Sequence, residues 1–374
     1  MLLARIAQQM VSLVLVLLAL ERFRSPEIAG LVTFLTIAPG LVVSPLAGAL
    51  LDRQGRTRLV ILDYAVAAIS LGAIAALAVA NALSVPILLV IVAVSSLTGP
   101  LSNTGIRTLF PVLVPRQLWE RANAIDSNGY VVASIVGPAA AGALVATVGS
   151  AGALAATAAV FAVAVLVTIG LRDPGEPSPG VNLLADAWRG VVYVAHNDTL
   201  RALAFAISTS NIAWGLTFLA LPVLVLESLR QGPDVVGILF ALVGVAGSLS
   251  VLAFGRISSV GREGPLMAAA MVGQGVPFLA MALFPHPVVV VLAMLVVGLA
   301  TGPFDVVLFT LRQRRTDPAW LGRAFAVSMA LNYTGFPVGS ALGGLIVSQS
   351  LGVAFGLAAV MEGLAALITI RYIR

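Results

Sequence analysis

Three aspartates, Asp63, Asp126 and Asp305, stand within or beside long apolar runs of this chain. A carboxylate in that setting is costly to keep charged and is by default a functional group, able to take up a proton or to hold a cation. Asp126 belongs to a polar stripe of Asn123, Asp126, Tyr130 and Ser134, whose spacings of three, four and four place them on one helix face. Further polar side chains among apolar neighbours are Gln8, Gln9, Asn103, Asn211, Trp214, Asn332 and Tyr333. They carry no charge, which suits contact with an amphipathic or lipophilic small molecule. Other chemistry finds little support. There is no cysteine, and the two histidines, His196 and His286, lie far apart, so neither a metal site nor a cofactor is expected. No HExxH, P-loop or GxSxG pattern occurs, so the chain reads as neither an enzyme nor an ATP-driven pump.

The elements that must carry these residues follow from composition. Of 374 residues, 60% are hydrophobic and 10% charged, against about 25% charged in a soluble domain. Apolar runs such as 59–80, 151–171 and 288–311 recur along the whole length, each near the ~20 residues that cross a bilayer core. Runs this long mean helices, because barrel strands would alternate over ~10 residues. The expected fold is all-α integral membrane, with twelve transmembrane helices in two six-helix pseudo-repeat bundles. Polar breaks place the spans near 4–21, 27–51, 59–80, 86–109, 122–147, 151–171, 200–227, 233–255, 264–284, 287–311, 322–348 and 352–371. The halves are then 1–171 and 200–374, joined by a polar linker, 172–199. Within the linker, 182–196 suits a short amphipathic helix with Leu184, Trp188, Val191 and Val192 on its apolar side.

All 21 basic residues are arginine, and the net charge is +5. With the N-terminus inside, only Arg22, Arg24 and Arg230 fall outside and the other 18 lie at cytoplasmic ends. That bias supports twelve spans with both termini cytoplasmic, and topology explains the arginines better than nucleic acid does. Residues 1–20 read as a first span rather than a cleaved signal. Arginine-only usage and abundant alanine suggest a bacterial plasma membrane, and a monomer is the expected state.

An internal repeat organises the chain. Pro26, Glu27, Gly30, Gly40 and Gly48 recur as Pro233, Asp234, Gly237, Gly247 and Gly255 at a constant offset of 207. Arg121, Ala122, Ala124, Val136, Gly137 and Gly142 recur as Arg323, Ala324, Ala326, Val338, Gly339 and Gly344, at 202. Two parallel halves related about the membrane normal suit rocking-type transport. Small residues every four positions, notably Gly335, Gly339 and Gly343, permit close backbone contact along one helix face.

Residues 48–58, GALLDRQGRTR, resemble the loop signature G-x-x-x-D-R-x-G-R, followed by basic residues, of the major facilitator superfamily. The matching positions are Gly48, Asp52, Arg53, Gly55, Arg56 and Arg58. Residues 137–142, GPAAAG, resemble the glycine-proline motif of its proton-coupled antiporters through Gly137, Pro138 and Gly142, although Ala133 and Ala141 stand where the pattern has glycines. The texture of LERFRSP, the loop and RANA is similar to the drug-efflux branch of macrolide and enterobactin exporters. The resemblance implies a gate in which Asp52, with Arg53, Arg56 and Arg107 nearby, latches one conformation. It also implies a cavity lined by spans 1, 4, 7 and 10, and makes spans 2 and 11 neighbours across the two halves. In those terms Gln9, Asn103, Tyr130, Asn211, Trp214, Asn332 and Tyr333 are expected substrate contacts, and Asp305, Asp126 and Asp63 the carboxylates for coupling to protons. Glu362, mid-span in the last helix, has no partner legible in the sequence. The first span lacks the central acidic residue many exporters of this branch carry. The expected function is proton-coupled export of a small amphipathic compound. The alternatives are lipid or lysolipid translocation and facilitated transport of a metabolite; a receptor without transport ranks lower.

Overall fold

A computed structural model describes residues 2–113, 119–171, 183–257, 259–317 and 320–373. Within the helices, side chains at 45, 48–49, 52–53, 107–113, 119–127, 183–187 and 321–326 lie outside that description. The described chain is helical throughout: α1 (Leu2–Phe23), α2 (Pro26–Gln54), α3 (Arg56–Val79), α4 (Val85–Ser96), α5 (Gly99–Leu113), α6 (Trp119–Ile169), α7 (Leu183–His196), α8 (Asp198–Val223), α9 (Pro233–Phe254), α10 (Glu263–Leu283), α11 (Pro287–Arg314), α12 (Leu321–Tyr333), α13 (Gly335–Val347) and α14 (Leu351–Tyr372). Among these residues, ten helices are long and apolar enough to cross a membrane.

Local chemistry sets the helix ends. Pro stands in the first turn of α2, α4, α9 and α11, where its missing N–H costs nothing. The Ser25 and Ser350 hydroxyls accept from Ile28 N at 3.2 Å and Val353 N at 3.3 Å, capping α2 and α14. Asn197 caps α8 through Leu200 N at 3.0 Å. His286 caps α11 through Val288 N at 3.3 Å, so this histidine has a structural use.

Two of the runs read off the sequence as single spans are broken. The run 86–109 is two helices, α4 and α5, parted at Leu97–Thr98. The run 322–348 likewise parts at Thr334 into α12 and α13. Each piece is shorter than a membrane crossing; α4 with α5 counts as one of the ten spans over Val85–Ile106, whereas α12 and α13 do not count. By contrast, the 51 residues of α6 are two helices that meet at a kink at Gly149, φ 74°, between the spans 122–147 and 151–171 read off the sequence. At ~1.5 Å per residue they are together more than twice the ~30 Å thickness of a hydrocarbon core. Glycine takes this positive φ without strain, and the adjacent Ser150 N donates to Glu21 Oε2 at 3.2 Å.

Helix neighbours occur in matched sets. α1 packs on α6, and α8 on α13; α3 packs on α6, and α10 on α14; α2 packs on α4, and α9 on α11. Two further contacts, α2 with α13 and α6 with α9, join the first group to the second. The repeated glycines make both. A methyl on Gly30 would lie 2.9 Å from Gly344 Cα, and one on Gly142 would lie 3.0 Å from Gly237 Cα. Gly30 and Gly237 are repeat partners, as are Gly142 and Gly344.

Spans 2 and 11 are neighbours, as the family resemblance implied, but the regular stripe of α12–α13 is not what joins them. Gly335, Gly339 and Gly343 lie against Ser208, Ile212 and Leu216 of α8, within the same half, and it is Gly344 that faces α2. Four-residue spacing marks a close approach but not which helix approaches.

Of the three arginines that break the charge bias, Arg22 finds a use. Arg22 donates to Ala78 O at 3.0 Å and Leu83 O at 3.4 Å, satisfying carbonyls at and just beyond the end of α3. Arg24 and Arg230 both take positive φ, 49° and 50°, two and three residues before the repeat-related Pro26 and Pro233.

The linker helix α7 forms as expected. Its Val194 is buried, Tyr193 stacks on Trp320 with ring centres 4.9 Å apart, and the Tyr193 hydroxyl accepts from Asp317 N at 3.0 Å. Trp188 and Val192, expected on its apolar side, remain exposed. Large apolar side chains are exposed all around the molecule, among them Ile69, Leu166 and Leu252, as lipid contact requires.

Candidate functional site

Two cavities open among the helices. The first, of about 500 Å³, is bounded by α1 to α6 and lined by Gln8, Gln9, Asp63, Asn103, Tyr130 and Phe161, among others. The second, of about 320 Å³, lies among α8, α10, α11, α12 and α13. Its lining includes Ser210, Asn211, Trp214, Gln274, Asp305 and Asn332. Tyr333 lines both.

Each polar group is held by its neighbours. Gln8 Nε2 donates to Ser102 Oγ at 3.0 Å, and Asp63 faces the Ser102 and Thr98 hydroxyls. The Arg5 guanidinium lies over the Tyr130 ring, 3.9 Å from its centre, a cation–π arrangement that fixes the ring. In the second cavity Trp214 Nε1 donates to Gln274 Oε1 at 2.8 Å, leaving the indole face to meet Phe278 edge-on. Asn211 Nδ2 donates to Ile207 O and Asn332 O, both at 3.1 Å, tying α8 to α12 just before the Thr334 break. Asn332 in turn donates to Ser328 O at 3.0 Å and accepts from Arg312, which is wholly buried. Phe218, Phe240, Phe336 and Tyr333 form a chain of rings with centres 5.2 to 6.1 Å apart. Together this is a mostly apolar, aromatic lining with a few oriented polar groups, suited to a small amphipathic molecule.

The structure thus brings Gln9, Asn103, Tyr130 and Asp63 to one cavity, and Asn211, Trp214, Asn332 and Asp305 to the other. Asp305 lies deeper than the sequence implied, because α11 runs on to Arg314; nine residues, or about 13 Å, separate them. Asp126, Gly48, Asp52, Arg53 and Arg107 lie outside the described side chains. Gly55 joins α2 to α3 with φ 91°, a backbone that glycine supplies, and Arg56 opens α3. The second-half loop, which lacks the aspartate, carries Glu263 paired with Arg314 at 2.8 Å. Gly137 packs against Gln9 and Ile6 of α1, and Pro138 faces Gly237.

Sequence reasoning missed Ser210, Gln274 and the partner of Glu362. Glu362 is fully buried, and its Oε1 accepts from Ser210 Oγ at 2.8 Å. Serine and glutamine on apolar helices carry little signal until a fold aims them at one another.

Comparison with known proteins agrees with this architecture. The family model described as transmembrane secretion effector, one of the major facilitator families, matches residues 7–373. An uncharacterised transporter of the major facilitator type, y4rN of Sinorhizobium fredii, is 40% identical over 98% of this chain and 92% of its own length. The multidrug efflux pump Tap of Mycolicibacterium fortuitum is 26% identical, covering 87% of this chain and 82% of its own. The enterobactin exporter EntS of Shigella boydii is also 26% identical, over 86% and 77%. Among solved structures, the nucleoside transporter NupG superposes with a TM-score of 0.81 at 14% identity, over 100% of this chain and 98% of that one. A bacterial homologue of the iron transporter ferroportin gives 0.74 at 16%, over 99% and 96%. At those identities the structural likeness speaks for the fold alone. Matched over nearly its whole length, the chain belongs to the transmembrane secretion effector family of the major facilitator superfamily, a family of membrane transporters with multidrug and enterobactin exporters among its relatives.

Proposed function

We propose that this protein exports a small amphipathic compound across a bacterial plasma membrane by alternating access, in exchange for protons. Its twelve spans form two bundles, 1–171 and 200–374, in which α6 supplies two crossings, α4 with α5 one and α12 with α13 one. The linker 172–199 joins them, and both termini are cytoplasmic. The observation that carries the reading is the pair of mostly apolar cavities, one per repeat, that meet at Tyr333 and include one carboxyl each, Asp63 and Asp305. Export rather than import is favoured by relatives whose names specify efflux.

The closed end supports alternating access. The glycine contacts between the repeats lie at the end bearing Pro26, Pro233 and Gly149, near Glu21 and Arg22. With the termini cytoplasmic, that end is external, and these backbone contacts are the ones that hold the repeats together there. Rocking the halves would break Gly30–Gly344 and Gly142–Gly237 together, since the repeat relates them.

The decisive experiment is transport of a lipophilic cation dye by purified protein in proteoliposomes, with and without an imposed pH gradient. Accumulation that follows the gradient supports proton-coupled export. Dye flux indifferent to pH overturns the coupling in favour of facilitated diffusion. Uptake of labelled lysolipid without dye flux would establish lipid translocation instead.

A further inference from the structure

The Glu362 carboxyl is a buried ionisable group that lines neither cavity. It sits halfway along α14, eleven residues from the start of that helix and nine from Arg371. Its side chain is 0% exposed. One oxygen accepts the Ser210 hydroxyl at 2.8 Å; the other, Oε2, is buried with no hydrogen-bond partner. Ser210 lines the second cavity beside Asp305. The carboxyl therefore stands one hydroxyl behind the cavity wall.

The charged groups around it are remote. α14 packs against α8, α10 and α13. α8 has Asp198 and Arg201 in its first turn, paired with each other at 2.7 Å. Glu227 lies beyond its far end. α10 has Glu263 alone, at its first residue and engaged with Arg314. α13 has no ionisable residue. At the level of Glu362, α10 presents Gly275, where an added methyl would lie 3.0 Å from Glu362 Cβ, so no side chain of that residue intervenes. A carboxylate with one hydrogen bond and no cation at this depth would bear a desolvation penalty of several kcal/mol. The neutral acid avoids it. With the proton on Oε1 the 2.8 Å contact runs the other way, the acid O–H donating to Ser210 Oγ, and Oε2 is then a carbonyl oxygen whose missing partner costs far less than a missing partner of a charge.

We propose that Glu362 is a proton-binding site of the C-terminal half, exchanging its proton with the second cavity through the Ser210 hydroxyl. In the conformation described, the acid is protonated and sealed. Ser210 rotates its own proton toward the cavity and takes the one from Glu362, so a proton leaves to the cavity and the carboxylate remains. A hydrated or rearranged cavity stabilises that carboxylate. The site thus couples proton release to a change at α8, the helix that Ser210, Asn211 and Trp214 share with the cavity. The proposal rests on the proton-coupled reading above, and it adds Glu362 to the carboxyls, Asp63 and Asp305, that the reading already uses.

The test uses two readouts on the full-length protein. Infrared titration of the purified protein follows the protonated-acid carbonyl band without any substrate. The expected result is a band that titrates in the wild type and is missing in Glu362→Gln, which keeps the shape and a hydrogen bond to Ser210. Ser210→Ala should retain the band but slow its response to a pH jump. In proteoliposomes, Glu362→Gln should lose dye accumulation driven by the pH gradient while retaining dye binding. A band unchanged in Glu362→Gln, or full gradient-driven accumulation by that variant, overturns the proposal. If the Glu362 band titrates but wild-type flux ignores the gradient, the proton site stands and the antiport reading fails.

Discussion

Asp305 and Tyr333 carry different parts of the site. Asp305 is a carboxyl about 13 Å inside the end of α11, facing a cavity. Asp305→Asn should abolish dye accumulation driven by a pH gradient while equilibrium dye binding survives; retained gradient dependence excludes Asp305 from coupling. Tyr333 is the side chain common to both cavities, stacked 6.1 Å from Phe336. Losing an aromatic contact costs about 0.5–1.5 kcal/mol beyond area. Tyr333→Ala should therefore weaken binding of an aromatic dye about threefold to tenfold, with Tyr333→Phe close to wild type, as read by fluorescence titration. Equal loss in the two variants would instead assign the contact to the hydroxyl.

At the scale of elements, glycines of the same spacing do two jobs. Gly339 lies against the Ile212 backbone of α8, with an added methyl 2.8 Å from Ile212 Cα, inside one half. Overpacking costs about 1–3 kcal/mol, so Gly339→Ala should lower the thermal midpoint of the detergent-solubilised protein. Gly30 and Gly142 lie between the halves. A larger residue there should shift the balance of conformations rather than melt the helices, because the two surfaces can separate. Gly30→Val and Gly142→Val are each expected to raise labelling of a cysteine introduced at the closed end, in a chain that has no cysteine of its own to remove. Labelling at the wild-type rate in both would show that these contacts do not hold that end shut.

For the whole molecule, the α2–α3 loop is the one-sided feature. Asp52 and Arg53 match the family signature, while Ser259 stands at the repeat position of Asp52 and Glu263 pairs with Arg314 instead. Asp52→Asn should slow transport while leaving expression, insertion and thermal stability unchanged. Unaltered transport would remove Asp52 from the gate. The helix neighbours match between the two sets, and α2–α13 and α6–α9 are the most extensive contacts that join one set to the other.

Composition and apolar run length determined the solvent of this protein, because a bilayer accepts backbone only in helices, and that constraint is local to each run. Repeat spacing determined which glycines correspond, since duplication copies positions whatever they touch. The family followed from a loop and a texture that are also written in order along the chain. Helix breaks at Leu97–Thr98 and Thr334 were not legible, because lipid-length hydropathy averages over a one-residue irregularity. The partner of the Gly335, Gly339 and Gly343 face was decided by how α8 lies against α12 and α13, which no intrahelical spacing encodes. The same holds for Glu362: the sequence shows a carboxyl in an apolar helix, and only the packing of α14 on α8 sets Ser210 2.8 Å away, with the cavity on its far side. Contacts across 152 residues of chain depend on the docking of helices, and docking is decided by the summed fit of all their side chains rather than by any one stretch of sequence.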